Sequence, residues 1–231
     1  MRQTLKIISQ AKKEGRKALL EPEAKMVCMD YGIPVTRFKV AVNEEDAAKY
    51  ADEIGYPVVL KIVSPQIIHK SDAGGVIINL KTSVDVAAAY KTIIENAKKY
   101  NADATIVGVL VQEMAPASTE TIVGAIKDPQ FGPTIMFGLG GIFVELLKDV
   151  SFRIAPITAD DAKEMITQLK AYPLLKGFRN TPPADIDALV DILLSTSRLV
   201  MDNPEIKELD LNPVIAYQKG AKTVDARIIL E

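Results

Sequence analysis

One cysteine and one histidine in 231 residues leave several kinds of chemistry without material. Cys28 can neither close an internal disulfide nor form half of a CxxC site, and this suits a reducing compartment. Between Val27 and Met29 in a helical pattern, it reads as a small buried or half-buried residue. There is no HExxH and no second histidine, so a zinc centre or a Ser-His-Asp triad has nothing to be built from. GxxxxGK[ST] is missing, which tells against a P-loop NTPase. Gly138-Leu139-Gly140-Gly141 fails GxGxxG because position 143 is Phe, which tells against a Rossmann dinucleotide site. Twenty-eight basic and 30 acidic residues give a net charge of −2, so no strongly basic face is implied and nucleic acid is not the favoured partner. No apolar run reaches the ~18 residues of a membrane span. The opening MRQTLKIISQAKKEGRKALLEPE is basic and amphipathic, without the apolar stretch and cleavage site of a leader. A cytoplasmic protein without membrane contact is expected.

What is present is ordinary globular material, 48% apolar and 25% charged. Helices are predicted over 3–13, from Pro22 to Gly32, from Asn43 to Gly55 and over 83–100, with further amphipathic helices at 159–170 and 184–200. Strands are predicted at Val35–Val40, Pro57–Val63, Val76–Leu80, Thr105–Glu113, Glu120–Ile126 and Thr134–Leu139. Leu209–Leu211, Val214–Tyr217 and Thr223–Ala226 close the chain, with a hairpin turn at Lys219-Gly220. The sum is an α+β chain of two lobes with a ligand cleft between them.

Four places can carry chemistry. His69 lies in Ser64-Pro65-Gln66-Ile67-Ile68-His69-Lys70-Ser71-Asp72-Ala73-Gly74-Gly75, a polar loop between two apolar strands. Neutral imidazole is a nucleophile near pH 7, Lys70 can steady phosphate charge, and Ser71, Asp72, Gly74 and Gly75 can offer backbone N–H groups to phosphate. A solvated loop histidine without a task fits the spacing too. Lys61, inside Val58–Val63, needs an anion, either a carboxylate or a ligand phosphate, unless it snorkels from an edge strand. Gln112-Glu113-Met114 ends a strand where backbone could meet a purine edge and a carboxylate a ribose or amine. Glu208, Asp210 and Asn212 alternate with apolar residues and so share one strand face; with Asp225 they are hard oxygen donors of the kind magnesium takes.

Four segments, taken together, resemble a known family: EPEAKMVCMDYGIPV, YPVVLKIVSPQIIHKSDAGGV, VLVQEMAPASTETIVGAIKDPQFGPTIMFGLGGIFVEL and ELDLNPVIAYQKGAKTVDAR. In order and spacing they are similar to the β subunit of ADP-forming acetyl-CoA synthetase, and to the nucleotide-binding part of the succinyl-CoA synthetase β subunit. The resemblance implies an ATP-grasp fold with 1–20 as an N-terminal helix or arm, 21–104 as the N-terminal lobe carrying the His69 loop, and 105–231 as the C-terminal lobe. It implies Mg²⁺ and ADP or ATP as cofactors. Lys61, Lys70, Ser71, Gly74 and Gly75 would handle the nucleotide phosphates, while Gln112, Glu113 and Met114 would hold the base and ribose. Asn212 and Asp225 would bind the metal, and Asp210 would either serve His69 or assist the metal. His69 would be the phosphohistidine, a residue the succinyl branch lacks at this place.

The reaction so implied is acyl-CoA + ADP + phosphate ⇌ carboxylic acid + CoA + ATP. The coenzyme A-binding domain and second catalytic histidine would belong to an α subunit, in an α2β2 assembly. Loop 64–75, pinned at both ends, would reach on the order of 18 Å at ~3.3 Å per residue. Another ATP-grasp carboxylate–amine ligase and a non-catalytic nucleotide-sensing module are the competing readings.

Overall fold

The computed structural model describes residues 3–141, 148–178 and 182–231. The 142–147 part of the family-like segment ending GIFVEL lies outside them. The chain runs α1 (Gln3–Lys13), α2 (Glu21–Asp30), β1 (Phe38–Ala41), α3 (Glu44–Ile54), β2 (Val58–Val63), β3 (Val76–Leu80), α4 (Ser83–Tyr100), β4 (Gly108–Glu113), β5 (Thr119–Asp128), β6 (Gly132–Leu139) and β7 (Val150–Ile154). Then come α5 (Ala159–Thr167), the single turn α6 (Tyr172–Leu175), α7 (Ile186–Asp202), β8 (Ile206–Ala216), β9 (Ala221–Thr223) and β10 (Ala226–Leu230).

Packing divides it into two compact units. The smaller is Leu20–Pro22 with Thr36–Ala115; the larger takes in the chain up to Leu19, Glu23–Val35, and the chain from Pro116 onward. These joints differ from the expected divisions at 20/21 and 104/105. Ile7, Ile8 and Ala11 of α1 and Ala24, Val27 and Cys28 of α2 are buried in the core that β5, β6, β8 and β10 build, so the N-terminal helix is not a separate arm. Strand pairing fixes the other boundary: β4 hydrogen-bonds to β1 and β2 and therefore stays with the smaller unit.

In the smaller unit an antiparallel sheet of order β1-β4-β2-β3 is covered by α3 and α4. Asn43 caps α3 by accepting from the Asp46 N–H, and the acidic first turn Glu44–Asp46 complements the helix dipole. Thr82 and Asp85 close a capping box at α4. Ala47, Ala51 and Ile54 of α3 and Val86, Ala89, Ile93 and Ala97 of α4 meet Val58, Leu60, Ile62, Val109 and Val111 of the sheet. Because strand side chains alternate, Val59, Lys61, Leu110 and Gln112 face away from the helices.

The larger unit has a six-stranded antiparallel sheet of order β10-β8-β5-β6-β7, with β9 added on β8. Its core is filled by Val123, Ala125, Ile135, Phe137, Leu209 and Leu211 against α5 and α7. The predicted breaks in the last third were too many. Pro213 sits inside β8 rather than ending a strand, since its neighbour Val224 donates to the Pro213 carbonyl and no N–H is asked of the proline. The strand expected at Thr223–Ala226 is instead the bend between β9 and β10, and β10 runs on from Ala226 to Leu230. No helix among the described residues is long and apolar enough to cross a membrane.

Candidate functional site

His69 stands exposed, directly before a tight turn. Sequence explains the seat beneath it. Ile67 and Ala73 are buried on either side, so the segment is held at two apolar points. The Gly75 N–H donates to the Lys70 carbonyl at 2.7 Å and the Gly75 carbonyl accepts from Ile62, also at 2.7 Å. The Asn96 side chain donates to the Gly74 carbonyl. Gly74 has φ +59, in the left-handed region that glycine occupies without cost. A Cβ on Gly75 would lie 2.5 Å from Ile62 Cγ2. The loop between β2 and β3 runs over the twelve residues expected, 64–75; Gln66, Ile68, His69, Ser71 and Asp72 in it are exposed, and 70–74 are folded into turns.

Lys61 does find an anion: Glu21, 40 residues earlier. The two form a hydrogen bond of 2.7 Å, with side-chain exposures of 7% and 2%. Lys70 Nζ lies 2.8 Å from the other oxygen of the same carboxylate. One buried carboxylate thus bridges the strand lysine and the lysine next to His69. Such a contact is strong because little water screens it. Nothing in the local sequence around Glu21 marks it; the only signal was the need of Lys61 for a counter-charge.

Gln112 is buried and shares the Lys61 face, two residues along the paired strand from the one opposite Lys61. Glu113 is held by Arg37, a residue absent from the sequence argument. The Arg37 backbone N–H and Nε each donate to its carboxylate at 2.9 Å. The Glu113 N–H in turn donates to the Arg37 carbonyl. Met114 donates its N–H to the Pro57 carbonyl. These residues, with Lys61, Lys70, Ser71, Gly74 and Gly75, all belong to the smaller unit.

Asp210, Asn212 and Asp225 belong to the larger unit. Glu208, Asp210 and Asn212 occupy one face of β8, as alternation required, while Leu209 and Leu211 turn into the core. Glu208–Leu211 of β8 are paired with both β5 and β10, and the β5 register shifts at Asn212-Pro213. Asp225 lies in the bend between β9 and β10, where its carbonyl accepts from the Asn212 N–H at 3.2 Å. Burial pushes the Asp210 carboxyl above the usual carboxylate range; the Arg227 charge works against this and the Asp225 charge adds to it. Among the described residues no three His, Cys, Asp or Glu side chains gather as a metal cage. Magnesium keeps waters and phosphate oxygens and takes only one or two protein oxygens. Asn212 and Asp225 carry oxygen donors of that kind, beside an Asp210 carboxyl whose pKa is raised chiefly by burial.

The raised pKa of Asp210 has a consequence for stability. The folded state holds the Asp210 proton more tightly than the unfolded chain. Stability is therefore lost as pH rises from the ordinary aspartate value of about 3.9 through the raised one. In chelator, Asp210→Asn should melt above wild type at pH 7, and the gap should close as pH falls towards 4. Melting curves at several pH values check this; a gap independent of pH would mean that the Asp210 charge is not its source.

A family model described as an ATP-grasp domain matches residues 10–230. It fixes the class of protein: an ATP-grasp enzyme chain. The chain is 59% identical to the acetate–CoA ligase [ADP-forming] I subunit beta of Pyrococcus furiosus, over 97% of this chain and 96% of that one. Two solved structures of the dinucleotide-forming acetyl-coenzyme A synthetase 1 of Ca. Korarchaeum cryptofilum are also close. One, with coenzyme A, acetyl-coenzyme A and a phosphorylated phosphohistidine segment in a site I orientation, has TM-score 0.93 and 54% identity, covering 99% of this chain and 100% of that one. The other, with coenzyme A and Mg-AMPPCP and the phosphohistidine segment pointing towards the nucleotide binding site, has TM-score 0.88 and 53% identity over the same shares. The chain belongs to the β subunits of the ADP-forming acetate–CoA ligases, and as a β subunit it implies an α partner.

Proposed function

We propose that this chain is the subunit in which an ADP-forming acyl-CoA synthetase makes or consumes ATP, with His69 as the phosphoryl carrier. The observation that supports it most is the placement of the single histidine: exposed, next to Lys70, in a segment whose base is tied to the strand that carries Lys61. The partner would carry the coenzyme A-binding domain and its own catalytic histidine, in an α2β2 complex in the cytoplasm. In the ATP-forming direction an imidazole nitrogen of His69 attacks the phosphorus of the phosphoryl group offered by the partner, and the bond to the partner's nitrogen breaks. The new P–N bond then breaks as a terminal oxygen of ADP attacks, giving ATP and returning the lone pair to His69. Lys61 and Lys70 neutralise the phosphates during the second step, and the backbone at Ser71, Gly74 and Gly75 shapes the approach. Gln112, Glu113 and Met114 hold the base and ribose, Glu113 being oriented by Arg37. Asn212 and Asp225 would hold Mg²⁺, which when bound bridges and neutralises phosphate oxygens. Asp210 orients His69 or supports the metal.

Two positions of the phosphohistidine segment in the Korarchaeum structures support a carrier that travels. For this chain the journey begins by undoing the Gly75–Lys70 and Ala73–His69 backbone hydrogen bonds or by carrying those turns along as a unit. The test is to incubate the subunit and its partner with γ-labelled ATP and magnesium and to map the label. Acid-labile, base-stable phosphate on His69 is the expected result; label confined to the partner, or on a carboxylate, would end the reading.

A further inference from the structure

We propose that Glu21 is a positioning residue that acts as a built-in competitor of the nucleotide phosphate. In the resting chain it holds Lys61 and Lys70 together, and when the phosphates of ADP or ATP take these lysines the seat of the His69 segment loosens. The inference rests on the reading of Lys61 as a phosphate ligand.

The geometry is specific. The Glu21 carboxylate spends one oxygen on Lys61, at 2.7 Å, and the other on Lys70, at 2.8 Å. The two lysines sit on different kinds of support. Lys61 is fixed in the middle of β2, paired with Leu110 and Val76. Lys70 is in the turn that follows His69, and its carbonyl receives the Gly75 N–H. A carboxylate and a phosphate oxygen compete for the same ammonium protons, and both gain most where water is scarce. Phosphate arriving at Lys61 and Lys70, the two lysines that neutralise it, therefore draws both ammonium groups from Glu21 and weakens the restraint on the turn after His69. Glu21 itself begins α2 and is almost fully buried, so it cannot follow Lys70 outward. The fixed carboxylate thereby links occupancy of the nucleotide site to release of the histidine segment without any group passing between them.

The test uses the complete complex with the α partner, with Glu21→Gln, Glu21→Asp and Lys61→Met. Removing one negative charge about 4 Å from a phosphate should lower the KM for ADP about fivefold in Glu21→Gln. It should also enlarge the ADP-induced rise in Tm over that of wild type. A residue that only supports the fold would lower Tm in parallel with and without ADP. Amide hydrogen exchange over 69–75 should be quickened by ADP in wild type and be fast already without ADP in Glu21→Gln. Should Glu21→Gln fail to fold, Glu21→Asp keeps the buried charge but draws it back by one methylene, and must shift KM and exchange in the same directions. The proposal needs both readouts. An unchanged or higher KM for ADP, or exchange that ignores Glu21, overturns it while Lys61→Met still weakens ADP binding. If Lys61→Met binds ADP as wild type does, the phosphate reading of Lys61 falls and takes this one with it.

Discussion

His69→Ala, assembled with its α partner, should lose ATP formation by roughly 10³-fold or more, because a covalent carrier has no partial substitute. ADP should still bind with nearly wild-type affinity, since the lysines and the acids are untouched. The side chain is exposed and its backbone turn is held by neighbouring residues, so Tm should move by no more than the ±0.5 kcal/mol typical of a surface change, roughly 2 °C in a chain of this length. Loss of turnover with binding and stability kept separates a carrier from a structural residue. Normal ATP synthesis by the variant would show that phosphoryl reaches ADP directly.

Gly75→Ala should do damage of another kind. The added methyl carbon would meet Ile62 Cγ2 at 2.5 Å and the Lys70 carbonyl oxygen at 3.0 Å. Ile62 is fully buried in the smaller unit's core and cannot yield cheaply, while Lys70 belongs to the seat of the histidine. Overpacking of this order costs about 1–3 kcal/mol, a fall in Tm on the order of 5 °C. Because the strain lands on the turn after His69, kcat should drop more than tenfold while the KM for ADP stays within about threefold. Thermal melts and steady-state kinetics on the purified complex decide it; wild-type values for both would mean that the segment rebuilds its base without this contact.

The sequence carried much of this and missed the rest for identifiable reasons. α4 is read to the residue because Thr82 and Asp85 form a local cap and the apolar spacing continues to Ala97. The shared face of Glu208, Asp210 and Asn212 follows from alternation alone. Glu21 and Arg37 were not legible as site residues. Their partners lie 40 and 76 positions away, and a counter-charge can be demanded by Lys61 but not located from its neighbours. The strand broken in two at Pro213 erred for the opposite reason: a local rule about proline gave way to pairing on both sides of β8. The joints between the units were also beyond local reading, since β4 belongs where its hydrogen bonds go.

Cys28 offers a practical opening. Its side chain is wholly enclosed and burial pushes its thiol up to about 12, so thiol-directed reagents should pass over it while the chain is folded. Ile68, by contrast, is 61% exposed beside His69. A fluorophore or spin label attached through a cysteine placed at 68 would therefore be the sole reporter on the molecule, with no native thiol to remove. Its distance to a labelled partner could be followed through a turnover in real time.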